Sequence, residues 1–500
     1  MKTLALVIAG AAVATLSSLA QPALTIYNQN FAVVRDIVPL DLKAGVNDVR
    51  FAGATAQLEP DSVILRDPAG KRVLQILEQN YRNDPVSEPL LLSLHEGKTI
   101  EFIRDTLVGN STTRQSIRGK IIRSGYVPGG GLEQPIIEVN GKLQFTLPGQ
   151  PLFPSLGADT ILKPTVNWLL RTDKPGKLDA EISYVTEGFT WSADYNLVAP
   201  EKGDTVDLLA WITMVNQSGK TFENAKIKLM AGDVNKIRPE QLYLINRFQG
   251  GSGGGGGGAP VVTEKSFDEF HLYTLARQTT LRDRETKQVE FARAESVKAP
   301  SIYVYDGAVS TYRFLGSLNQ DQNYGTECNK KVWVMREFVN AETNHLGIAL
   351  PKGKLRFYRR GDDGQLEFTG ENEIDHTPRN ETIRVRTGNS FDLVGERKQT
   401  NCKEKVFNGS HIDPSTGLPV ASVENPDENW INETFEIKLR NHKKEAVEIR
   451  VVEHLYRWNN WKITANSADY KKTDAQTIEF RVPVQPDEEK TITYTVHYTW

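Results

Sequence analysis

The stretch GFTWSADYNL, Gly188 to Leu197, decides the fold. Read with a period of two, it places Phe189, Trp191, Ala193, Tyr195 and Leu197 on one face and Thr190, Ser192, Asp194 and Asn196 on the other, because successive strand side chains point to opposite sides of a sheet. Trp191 and Asp194 therefore stand on opposite faces, as parts of a wall rather than of a reaction centre. Burying one such aromatic ring contributes on the order of 2 to 3 kcal/mol, so this stripe is expected to be core.

The same period recurs along the chain. In IIEVNGKLQFTL, Ile137 and Val139 precede Asn140-Gly141, and Leu143, Phe145 and Leu147 follow. Asn-Gly accepts the positive φ of a two-residue hairpin turn. SVILRDPAGKRVLQI is expected to turn at Asp67 to Gly70, and LRFYRRGDDGQLEFTG near Asp363-Gly364. The closing EKTITYTVHYTW puts Ile492, Tyr494, Val496, Tyr498 and Trp500 on one face. DRETKQVEFARAES, Asp283 to Ser296, reads as a strand or a short helix. The expected class is all-β: several domains of stacked, immunoglobulin-like β-sandwiches, with a small β-barrel-like unit among them. A membrane barrel needs lipid-facing bands, and charges interrupt both faces of strands such as FEIKLRNHKKEAVEIRVVEHLYR.

Met1 to Ala20 has the layout of a secretory signal peptide: Lys2, an apolar and small run from Leu4 to Leu16, then Ser18-Leu19-Ala20. Export to the periplasm or beyond the cell is expected, with no integral membrane segment after cleavage. The chain has 60 Lys and Arg and 63 Asp and Glu. With Lys2 removed, 59 cations against 63 acids leave a formal charge of −4. Such a balance argues against nucleic acid as a partner, since phosphate binding needs a concentrated positive field. KLRFYRR, Lys354 to Arg360, is the densest basic cluster and reads as the solvated face of a hairpin.

The divisions expected after residue 20 are an N-terminal β domain to residue 97, a small β unit over 98–158, a central sheet region over 159–429 and a C-terminal sandwich over 430–500. The central region contains the glycine tract 250–260 and an insert loop over 403–429. Cys328 and Cys402 are the only cysteines. An exported pair can be oxidised, and both lie in polar sequence where a free thiol would be exposed, so a disulfide is expected; two unpaired thiols are the alternative.

Catalytic motifs are scarce. Gly250 to Gly254 fits G-x-S-x-G only formally, because a polyglycine tract cannot fix a serine hydroxyl as a strand-to-helix turn does. The eight His show no zinc-helix spacing, and no catalytic, cofactor or metal residue is assigned. Asp375 and His376 in IDHTPRNE are neighbours on an extended chain and read as a turn. Asp413, Asp427 and Glu428 are oxygen ligands without a recognisable calcium-loop spacing. Tyr456, Trp458 and Trp461 in HLYRWNNWKI are either ring-stacking residues for a sugar or a corner of the core.

The segments SYVTEGFTWSADYNLV, NQSGKTFENAKIKLMAGDVN, FHLYTLARQTTLRDRETKQV, IDHTP, FDLVGERKQT and FEIKLRNHKKEAVEIRVVEHLYRWNNWKI, with the ending YTVHYTW, resemble an exported bacterial family defined by the domain of unknown function 4139. The central and C-terminal parts also resemble the mucoidy-inhibitor A group, although no heptad run is present. The resemblance implies a β-rich envelope protein and transfers no site residue. Two functions are expected on this basis: a non-catalytic binding or scaffold protein whose partner is an envelope glycan or protein, or an exported carboxylate-based, glycosidase-like hydrolase acting on envelope polysaccharide.

Overall fold

The computed structural model describes residues 21–108, 111–128, 131, 133–157, 160–232, 234, 236, 262–267, 270–308, 312–314, 316–405, 411–412, 419–420 and 429–500. The leader, the glycine tract 250–260, Asp413, Asp427 and Glu428 lie outside them, as does most of the insert 403–429. The described chain is strand almost throughout, in several stacked, sandwich-like sheets. It divides into two compact units, the first comprising 1–191, 214–233 and 272–287 and the second 192–213, 234–271 and 288–500.

In the first unit, Phe31–Leu42 pairs along its whole length with Gly176–Glu187 and also with Ala23–Tyr27, which runs parallel to Phe222–Ala231. Thr165–Thr172 is the centre of a three-stranded sheet between Gly45–Ala52 and Gln75–Arg82. The Asp67 to Gly70 turn forms, its carboxylate accepting the Ala69, Lys71 and Arg72 amides. Its two arms do not pair with each other: Ile64–Arg66 joins Gly176–Glu187 and Gln75–Arg82 joins Thr165–Thr172. Asn140 and Gly141 take φ of 50° and 73° between Ile136–Val139 and Lys142–Gln144, the expected hairpin. That hairpin belongs to a five-stranded sheet around Leu92, Ile100, Phe102, Ile121 and Ile137. This sheet is open, not barrel-like: Gln150–Leu152 and Lys142–Gln144 are its two edges.

Two strands, Glu285–Lys298 and Phe189–Ala199, begin in residues of the first unit and end in residues of the second, and Glu285–Lys298 is a strand and not a helix. Phe189–Ala199 buries Phe189, Trp191, Ala193, Tyr195 and Leu197, as its period requires. Its Ala193–Ala199 portion runs parallel to Gly353–Arg360, which makes the expected hairpin with Leu366–Ile374. The second unit also contains a nine-stranded sheet. Its organiser is the 24-residue strand Thr382–Lys405, whose first half pairs with Lys331–Val339 and whose second half pairs with Trp430–Asn441. A long strand interrupted by register shifts turns a corner between sheets, and here it joins two arms that face each other. Phe480 from one arm meets Tyr494 from the other with ring centroids 5.8 Å apart. Ile437, Val451, Val482 and Val496 complete the shared core.

Gly395 in this long strand lies under the Tyr305 ring. A Cβ there would stand 2.2 Å from a ring carbon, and one at Gly307 would stand 2.8 Å from the phenol oxygen. With both sides occupied the ring has nowhere to move. Gly395→Ala is expected to cost about 1–3 kcal/mol by overpacking, read as a lowered melting temperature; an unchanged one would contradict this packing.

Candidate functional site

The opening stretch is wall, as its period implies. Trp191 donates its indole N–H to the Met230 carbonyl at 3.1 Å, whereas Asp194 on the other face accepts from Thr213 at 2.7 Å and lies 3.8 Å from Arg356. Asp375 is exposed and pairs with Lys352 at 3.5 Å; His376 accepts the Lys352 backbone N–H through Nδ1. KLRFYRR forms the strand Gly353–Arg360, where Lys354 and Arg356 reach toward Glu371.

The expected cystine is not formed: Cys328 and Cys402 are free thiols. Each is partly buried, which removes the exposure that their polar neighbours suggested. Cys402 lies opposite Glu433 in the sheet. Burial, then the Glu433 charge, push its thiol above the usual range, so it is a poor thiolate.

Tyr456, Trp458 and Trp461 gather around the end of the strand Val447–His454. Trp458 and Trp461 pack half-buried against the sandwich core, with Lys472 4.5 Å over the Trp461 ring. Tyr456 is enclosed between His454, stacked at 4.8 Å, and Tyr312 at 5.5 Å. His454 bonds Asp306 through Nε2 at 3.0 Å and meets the Thr477 hydroxyl at 3.4 Å through Nδ1. At 3.4 Å the His454–Thr477 contact is longer than the reach of a base that takes a hydroxyl proton.

The densest constellation is one that sequence reading missed. Glu433 sits in phase with Ile431, Phe435 and Ile437, and Glu453 in phase with Ile449, Val451 and Leu455, so strand geometry turns both carboxylates into the core. Each meets an arginine. Arg397 Nε lies 2.8 and 3.0 Å from the Glu453 oxygens, and Arg457 Nη2 lies 2.7 Å from Glu433 Oε1, all four side chains no more than 1% exposed. Tyr494 donates to Glu453 at 2.5 Å and Gln399 to Glu433 at 2.7 Å. The Arg397 guanidinium lies 3.9 Å over the Phe435 ring.

One further nitrogen of each guanidinium reaches an irregular segment, while Arg457 Nε is buried without a partner among the described residues. Arg457 Nη1 donates to the carbonyls of Asn319 and Asp321, both at 2.8 Å, and Arg397 Nη1 to that of Gly325 at 2.5 Å. These carbonyls lie in a half-exposed segment outside the sheet, and the arginines tie them to it, the Asp321 carbonyl also accepting the Tyr324 amide. Burial works against both cations, yet Glu453 and Glu433 raise Arg397 and Arg457 above the ordinary arginine range. The cluster is thus a clasp that fixes residues 316–328 to the sandwich. The signal in the sequence was parity: Glu433 and Glu453 occupy apolar positions of an alternating pattern.

Four tyrosines line this region, Tyr305, Tyr312, Tyr494 and Tyr498. Burial above all, reinforced by neighbouring ionisable groups, pushes their phenols well above the usual range. The sign is that of a raised folded value: stability is fully present below about pH 10, the ordinary phenol value, and falls above it as the unfolded chain alone releases protons. Each such tyrosine removes about 1.4 kcal/mol per pH unit there. Phenolate absorbance should therefore leave these groups untitrated until the chain unfolds; native titration of all 16 tyrosines would contradict their burial.

A second recess in the same unit is polar and open, about 640 Å³, with Arg336, Arg359, Lys443 and Arg450 on its walls. Among the described residues no group of His, Cys, Asp and Glu is arranged to hold a metal, and no helix is long and apolar enough to cross a membrane. The family model described as Domain of unknown function (DUF4139) matches residues 180–500. No curated protein matches the chain.

Proposed function

The chain belongs to the family defined by the Domain of unknown function (DUF4139), and from that premise we propose that it is an exported cell-envelope protein that binds or scaffolds a partner without turning it over. The partner is an envelope glycan or another envelope protein. Export rests on the leader-like run Met1 to Ala20.

The observation that supports a binding role is the commitment of the interior carboxylates. A glycosidase-type reaction uses two carboxyl groups facing one cleft. Glu433 and Glu453 are instead each held by an arginine and closed off from solvent. Their oxygens are engaged in holding the fold, not turned toward a substrate.

Two measurements on the full-length protein test the reading. Cell fractionation with N-terminal sequencing is expected to place the protein outside the cytoplasm, beginning near Gln21; a cytoplasmic protein that retains Met1 would overturn export. Incubation with peptidoglycan, acidic polysaccharide and ester substrates is expected to give retention without product. Turnover that disappears on substituting a single Asp or Glu would overturn the non-catalytic reading and favour the hydrolase.

A further inference from the structure

The recess beside Arg336 has a composition that the clasp does not explain. Arg336 is only 6% exposed, and its Nη1 donates to the Ala299 carbonyl at 2.8 Å and the Gly203 carbonyl at 3.4 Å. Among the described residues no carboxylate lies within ion-pair distance of it. The contrast with Arg397 and Arg457 is direct: those two are also buried and each has a glutamate. Burial first, then the nearby Arg359, hold Arg336 below the ordinary arginine range, and Asp204 only partly opposes them.

The other walls add to the imbalance. Arg450 reaches Glu337 at 3.2 Å through Nη1, but its Nε is buried without a partner among the described residues. Lys443 lies 5.2 Å over the face of Tyr303. The lining holds five cations, Lys202, Arg336, Arg359, Lys443 and Arg450, against the carboxylates of Asp204, Glu445 and Glu448. Glu448 is in turn shared with Arg481 at 3.9 Å. A buried cation without a counter-charge is costly, and a planar guanidinium fork matches two oxygens of a phosphate or carboxylate.

We propose that this recess binds a small oxyanion, the phosphate or carboxylate group of a ligand, with Arg336 as its principal contact and Arg359, Lys443 and Arg450 completing the positive wall. The proposal rests on the reading of the chain as a binding protein and supplies the ligand chemistry which that reading left open. Phosphate and carboxylate share this chemistry, so the test uses one of each.

Calorimetric titration of the full chain at low ionic strength, with inorganic phosphate and separately with glucuronate, is expected to show saturable one-to-one binding of at least one anion and none of glucose. Arg336→Met is expected to weaken binding at least tenfold, and Arg359→Gln severalfold. Lys354→Gln, on the hairpin outside the recess, should leave it unchanged. Should Arg336→Met fail to fold, Arg336→Lys keeps the charge, loses the fork, and is expected to weaken binding as well. Binding of neither anion by the wild type, or undiminished binding by both the Arg336 and Arg359 variants, would overturn the site. The two proposals fail separately: turnover of a saccharide sinks the non-catalytic reading whether or not anions bind, and a null anion titration sinks only this recess.

Discussion

Glu453→Gln is expected to lower stability by about 3–5 kcal/mol, the range for breaking one partner of a buried ion pair. The reason is the charge left behind. Arg397 keeps its positive charge at 1% exposure but loses the negative charge that offsets its desolvation, and retains only a neutral amide oxygen, the Gly325 carbonyl and the Phe435 ring. Tyr494 loses its charged acceptor at the same time. For a unit of this size the melting temperature should fall by roughly 10 °C. Replacing both partners with apolar residues, Arg397→Met with Glu453→Leu, should recover much of that loss, since no orphan charge remains. A single variant as stable as the wild type would show that the pair contributes nothing to holding the two arms.

Arg457→Met is the second large effect, with an expected loss of similar size. Here Glu433 is the stranded charge, left with Gln399 alone. The Asn319 carbonyl loses the Arg457 donor too, and the Asp321 carbonyl is left with the Tyr324 amide, so the segment loses two of its ties to the sandwich. The variant should therefore melt lower and also be cut by protease within residues 316–328 at temperatures where the wild type resists. Arg457→Lys keeps a positive charge near Glu433 but cannot reach several carbonyls with a fixed fork, so it should recover stability only in part.

The fold was largely legible because hydrophobic alternation is a local property that tertiary packing here respects. GFTWSADYNL, the Asn140-Gly141 turn and the terminal strand all bury or place the residues their period selects. Hairpin assignment failed at Asp67 to Gly70, where the turn forms but each flanking strand pairs elsewhere. A turn motif fixes a local reversal of the chain and leaves open which strands its two arms will join. The short-helix alternative at Asp283 to Ser296 failed because its alternating Val289 and Phe291 are buried in a strand.

The site was legible only in hindsight. Asp375-His376, the adjacent ionisable pair in the sequence, reads as a turn and lies at the surface beside Lys352, whereas the ionisable residues that meet in the core come from strands distant in sequence. Tyr456, Trp458 and Trp461 lie near them in sequence, but their aromaticity gave no notice of Glu433, Glu453, Arg397 and Arg457. Charged residues standing at core positions of an alternating strand were the available clue, together with Arg457 inside HLYRWNNWKI. The thiols misled for a related reason: polar neighbours do not expose a residue whose strand or bridge covers it.

The central claim is that the buried arginine–glutamate pairs are a mechanical clasp for residues 316–328 and not a reaction centre. Hydrogen–deuterium exchange on Arg457→Met, compared with the wild type, tests it most directly. The account predicts that amides of 316–328 lose protection at a temperature where Trp430–Asn441 and Glu489–Thr499 still keep theirs. Unchanged protection of that segment in a folded variant would contradict it.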